Sequence, residues 1–164
     1  MRVIGSCLVT LAALFGAGRA QAQVTETKQT LTLEGAKTVA AAAALEARKG
    51  NEGASIAVVD DGGNLMYLER MAPTFPMGAT ISTEKARTAA LFQKPTKILE
   101  DAIVAGRTPL LNAWSAPLNG GEPILVQGKV VGAIGVSGAS SAARDAAIAL
   151  AGAGALTGKT SASR

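Results

Sequence analysis

Apolar and polar positions recur along this chain with two different periods, and the changes of period mark its elements. Residues 32–49, TLEGAKTVAAAAALEARK, repeat small apolar residues at helical spacing. Thr32 stands where an N-cap belongs, Glu34 falls in the first turn, Arg48 and Lys49 fall in the last, and Gly50 supplies the stop. The alanines make a thin face suited to close packing on a sheet. Residues 54–59, ASIAVV, read as a strand too apolar for an exposed edge, and DDGG turns the chain into a second strand over residues 64–70. Alternation on that strand sets Leu65, Tyr67 and Glu69 on one face and Met66, Leu68 and Arg70 on the other, with one face toward the core and one partly free.

Pro73 and Pro76 make residues 71–80 a loop, and ISTEKARTAALF (81–92) resumes helical spacing until Pro95. Thr96 can cap a further helix, TKILEDAIV, closed by Gly106. The prolines and glycines of RTPLLNAWSAPLNGGEP (107–123) deny it regular structure and predict a long connection of the kind that carries function. PILVQGKVVGAIGVSG follows as a hairpin bent at Gln127-Gly128, and Ser140 or Ser141 can cap a last Ala-rich helix reaching about Leu156. Adjacent strands joined by short turns imply an antiparallel sheet with helices against it, an α+β domain.

The first 22 residues have a different logic. Arg2, an apolar run from Val3 to Phe15 and the small-residue end Ala20-Gln21-Ala22 have the form of a secretory signal peptide, and the run is too short for the ~20 residues of a spanning helix. The expected organisation is a signal over 1–22, a polar lead over 23–30, one domain over 31–157 and a disordered tail over 158–164, with the protein periplasmic or secreted and without a membrane span. Cys7 is the sole cysteine and belongs to the signal segment, so the exported domain has no disulfide or thiolate chemistry. Loss of Arg2 and Arg19 would leave 14 basic residues against 12 acidic ones. A charge of about +2, with only Tyr67, Phe75, Phe92 and Trp114 as aromatic residues beyond the signal, argues against nucleic acid as a partner.

The chain contains no histidine, which removes the commonest general base and metal ligand. GVSGA (135–139) has the outline of a nucleophile elbow, yet no histidine exists to activate Ser137. Gly132, Gly135 and Gly138 do not have phosphate-loop spacing and read better as sites of close helix packing. In EKART, Glu84, Lys85, Arg87 and Thr88 fall within about one helical turn. They form either a solvated charged face or one side of a pocket for an anionic or carbonyl-bearing ligand.

Taken together, LTLEGAKTVAAAAALEA, IAVVDDGGNLMYLERM, STEKARTAALFQKPT, PLNGGEPILVQGKVVGAIGVSG and the last Ala-rich helix, in this order, closely resemble the GlcG/HbpS-like family, also called the haem-degrading domain family. The similarity runs from about Leu31 to Leu156. The resemblance implies a single profilin-like domain, assembly into homo-oligomers, and haem as a cofactor or ligand. It further implies an iron donor of oxygen, sulfur or nitrogen, for which Tyr67, Met71, Met77, Lys85 and Thr88 are candidates, with Thr88 or Tyr67 foremost. Arg70, Lys85, Arg87 or Lys94 would pair with propionates or with another small acid, and Phe75, Phe92 and Trp114 would supply apolar walls.

The site expected from these readings joins the end of the second strand, the EKART helix and the Trp114 loop, with Tyr67, Arg70, Met71, Met77, Lys85, Arg87, Thr88, Phe92, Trp114 and Asn119 as ligand-binding residues. Three functions are compatible with it. The first is an exported protein that binds or handles haem or a similar tetrapyrrole. The second is an enzyme or enzyme accessory acting on a small organic acid, with Tyr67 or Lys85 as acid or base, and the third is an oligomeric scaffold without a ligand.

Overall fold

The computed structural model describes residues 24–113 and 116–157. The expected signal peptide, Trp114 and the expected tail lie outside the described residues. The elements are α1 (Leu33–Lys49), β1 (Ser55–Asp60), β2 (Leu65–Arg70), α2 (Gly78–Phe92), α3 (Thr96–Val104), a short 3-10 helix (Thr108–Asn112), β3 (Gly121–Val126), β4 (Lys129–Ser137) and α4 (Ala142–Gly154). The four strands form one sheet in the order β2-β1-β4-β3, with every neighbouring pair antiparallel. The protein is thus a single α+β domain with an antiparallel sheet flanked by helices, as the sequence implied.

Side-chain alternation on the two central strands sorts the core into two layers. Ile56 and Val58 of β1 and Ile134 and Val136 of β4 face α1 and α4, where they meet Val39, Ala43 and Ile148. Ala57, Val59 and Ala133 face the other way, onto Ala86, Ala89 and Ala90 of α2. The second layer is made of methyl groups because α2 lies almost on the sheet. A Cβ on Gly135 would stand 2.5 Å from the Ala86 nitrogen, and one on Gly121, its cross-strand partner, 2.5 Å from the Lys85 carbonyl oxygen. Gly135 therefore serves close helix packing, the reading its spacing favoured.

Local signals hold at several ends. The Thr32 hydroxyl accepts from the Gly35 N–H, Ser141 does the same for Arg144, and Gly50 ends α1. The β3–β4 bend has φ of 52° at Gln127 and 76° at Gly128, the two left-handed residues of a primed hairpin turn.

Four local expectations are corrected. Helix α2 begins at Gly78, inside the expected loop, because Pro76 precedes the first turn and does not interrupt it. Thr96 does not cap α3. It is the helix's first residue, preceded by Pro95, and its hydroxyl donates to the Leu118 carbonyl at 2.6 Å and accepts from the Gly121 N–H at 2.9 Å. The connection over 107–123 holds a turn of 3-10 helix and the start of β3, since Pro123 sits on an edge strand where its missing N–H goes unused. Finally, a bulge breaks the alternation on β2. Val58 pairs with Tyr67 but Val59 pairs with Leu65, so Leu65, Leu68 and Arg70 share the α2 face. Met66 and Tyr67 both pack against the core under α1.

Candidate functional site

The bulge decides what the end of β2 can do. Cross-strand partners share a face, so Leu68 opposite Ala57 and Arg70 opposite Ser55 project toward α2. Glu69 turns the other way and reaches Arg48 of α1 at 3.4 Å. Between β2 and the first turns of α2 lies an open groove of about 280 Å³, lined by Leu68, Ala79, Thr80, Thr83 and Glu84. Of its lining, Leu68 is 41% exposed, and on the flanking segments Leu65, Phe75, Met77 and Leu91 are exposed as well.

Two guanidinium groups are connected to the groove's lining: Arg70 follows Leu68 on the same face of β2, and Arg87 bonds Glu84. Arg70, exposed, donates to the Thr74 carbonyl at 2.9 Å and lines an adjoining pocket of about 170 Å³ with Met71, Ala72, Pro73 and Thr74. Arg87 donates to the Gly63 carbonyl at 3.1 Å and to Glu84 at 2.8 Å, which ties α2 to the β1–β2 turn. Two buried hydroxyls behind the Arg70 corner, Ser55 Oγ and Thr74 Oγ1, have no hydrogen-bond partner among the described residues. Each lies beside Gly78 at the start of α2, 3.0 and 3.2 Å from where a Cβ would stand.

The remaining expected site residues go elsewhere. Lys85 is 3% exposed and its ammonium donates to Asp145 at 2.9 Å and to the Val136 carbonyl at 2.8 Å. Asp145 in turn accepts from the Ala139 N–H at 3.0 Å. Thr88 is 2% exposed; its hydroxyl donates to the Glu84 carbonyl at 2.7 Å and accepts from the Ala116 N–H at 2.8 Å. Asn119 is buried, with its N–H on Glu100 at 3.2 Å. Thr88, Thr96 and Glu100 thus hold the far end of the long connection. Tyr67 lies on the α1 face, and Phe92 is half-buried at the end of α2.

Among the described residues, none of the expected site residues lines this groove itself: Arg70 and Met71 line the small pocket at the end of β2, Arg87 holds the groove residue Glu84, Met77 is exposed just before α2, and Lys85, Thr88 and Asn119 are in internal contacts. Thr80 and Thr83 were missed because residues 71–80 read as loop and Thr83 carries no distinctive spacing. The signal for them is the i, i+3 and i+4 relation of Thr80, Thr83 and Glu84, visible only once α2 is started at Gly78. Among the described residues no group of acidic side chains is placed to hold a metal ion, and no helix is long and apolar enough to cross a membrane.

Comparison with known proteins gives a consistent result. Residues 31–154 match the family model described as haem degrading protein HbpS-like. Protein GlcG of Escherichia coli K12 is 46% identical over 113 residues, which cover 68% of this chain and 84% of that protein. The crystal structure of the Klebsiella pneumoniae protein ORFY superposes with a TM-score of 0.77 at 28% identity, covering 86% of this chain and all of that one. That of a double mutant of Streptomyces reticuli HbpS superposes with a TM-score of 0.74 at 32% identity, covering 94% of this chain and 100% of the other. On the matched span, the fold and the identities, this chain belongs to the GlcG/HbpS-like family.

Proposed function

We propose that this chain is an exported, homo-oligomeric protein that binds haem or a closely similar tetrapyrrole in the groove between β2 and the first turns of α2. The observation that carries the reading is the groove itself, open beside the exposed Leu68, with Arg70 on the same face of β2 and Arg87 bound to its Glu84. The family description supports haem as the class of ligand. A flat macrocycle needs apolar contact for its ring and cations for its propionates. Leu68 and Met77 offer the first and Arg70 the second. Met77, exposed just before α2, offers a thioether that would serve as an iron donor without histidine. When bound, haem would supply the redox and spectroscopic chemistry, while the chain would hold and orient it.

Titration of the purified domain with hemin, followed at the Soret band, tests the proposal. Saturation near one haem per chain is expected, with Met77→Ala moving the band and Arg70→Gln weakening binding by about tenfold, the worth of one charge-assisted contact. Absence of a saturable change would overturn it.

A second reading, a small organic acid as ligand, is favoured by the Arg70 corner, where a pocket of about 170 Å³ adjoins the unpartnered Thr74 hydroxyl. Acetate displacing hemin competitively would unite the two readings at one site. Acetate binding in a protein indifferent to hemin would leave only the second.

A further inference from the structure

On the far side of the sheet from the β2 edge, the other edge strand borders a larger groove. It measures about 340 Å³ and lies between β3, the end of α2 and the last turns of α4. Its walls are mostly apolar, from Pro95, Pro123, Leu125, Leu150 and Ala153, with the uncharged polar Gln93 and Thr157 beside them. Leu125 is 45% exposed and Leu150 62%, so two leucines stand open to solvent on either side of it.

One ionisable group interrupts these walls. Glu122 is half-buried, and no hydrogen bond or ion pair among the described residues engages its carboxylate. The charged groups on the packed elements are directed elsewhere. Lys85 and Asp145 pair with each other, Arg144 with Glu46 and Glu52, Lys97 with Asp101, and Arg87 with Glu84. Glu100 accepts from Asn119, and Lys94 and Lys129 do not line the groove. Burial without compensation pushes the Glu122 carboxyl up to about 7. An apolar cleft with a lone carboxylate in its wall has unmet demand for a positive charge.

We propose that this groove is a second binding site, for a small ligand that joins a protonated amine to an apolar body. The amine would sit on Glu122 and the body between Leu125 and Leu150. The proposal is independent of haem binding, since the two grooves border opposite edges of the sheet.

Phenethylamine and its neutral isostere 2-phenylethanol provide the test, titrated into the protein and followed by amide chemical shifts at pH 8 and pH 5.5. The amine should bind at least tenfold tighter than the alcohol at pH 8, with shifts confined to β3, α4 and the end of α2. At pH 5.5, where Glu122 is protonated, that preference should vanish. Glu122→Gln should abolish the preference at both pH values while leaving hemin binding unchanged, and Leu150→Ala should weaken amine and alcohol alike. Equal affinity for the two probes, shifts centred elsewhere, or sedimentation showing the groove closed by a second copy would each overturn the proposal.

Discussion

Lys85 and Asp145 show how a single pair of residues can be misread from sequence and still matter. In EKART the lysine resembles a ligand-binding cation, but its ammonium lies with Asp145 in the interior, and the two helices that bear them pack on opposite faces of the sheet. The pair fits only because Gly120, at φ +115°, has no side chain. A Cβ there would stand 3.0 Å from Nζ and 2.9 Å from the Asp145 Cβ. Removing one partner strands a buried charge, so Asp145→Asn should cost about 3 to 5 kcal/mol in urea unfolding. Replacing both with apolar residues of similar volume, Lys85→Met with Asp145→Leu, should cost less than the single change. A double variant less stable than the single would show that the bonds to Val136 and Ala139 outweigh the charge pairing.

At the scale of elements, the approach of α2 to the sheet is set by glycine. Gly135 and Gly121 lie opposite each other beneath the Ser82–Ala86 turn, and any side chain at Gly135 would displace the helix backbone, which cannot give as a flexible side chain can. Gly135→Ala should therefore destabilise by about 3 kcal/mol, the upper end of ordinary overpacking, and should also shift hemin affinity because α2 forms one wall of the groove. Gly154→Ala is the contrast. Its Cβ would meet nothing within 4 Å, and at the end of α4 alanine should raise stability by about 0.5 to 1 kcal/mol. Thermal unfolding of the two variants distinguishes a packing glycine from an incidental one. Both lie in apolar stretches and look alike in sequence.

The pH dependence of stability belongs to the whole molecule. Glu46 is held below the ordinary carboxylate range by its bond from Lys49, and Glu52 by its bonds from Ser140 and Arg144. Their contribution is present above the ordinary carboxylate pKa and is lost as pH falls through the depressed values. Glu122 runs the opposite way. Its folded pKa, raised from 4.5 to about 7, makes the folded state bind the proton more tightly. Stability should thus fall as pH rises across that interval and level off above it. For a half-exposed group, screened by solvent, the loss is about 1 to 2 kcal/mol. Urea unfolding at pH 5 and pH 8 should show this decline, and Glu122→Gln should flatten it. An unchanged slope in the variant would assign the decline to other groups.

Much of the fold was legible because its signals are local. Thr32, Gly50, the Gln127-Gly128 bend and the periods of 3.6 and 2 each act over a few residues, so the order of elements and the antiparallel sheet follow from the chain itself. Composition likewise determined what the chemistry lacks, since an absent histidine stays absent in any conformation. The site was legible only in part. Arg70 was named from the end of the second strand, but the face it shares with Leu68 depends on the β2 bulge, which moves Met66 and Tyr67 to the α1 face and keeps Leu68 and Arg70 with α2. No local pattern reveals a bulge that is defined by its partner strand. The same limit explains Lys85, Thr88 and Glu122, whose partners or lack of partners arise from segments distant in sequence. The sequence by itself determined the elements, their order and the available functional groups. Tertiary structure alone decided which of those groups meet water, because burial and pairing are properties of surfaces brought together by folding.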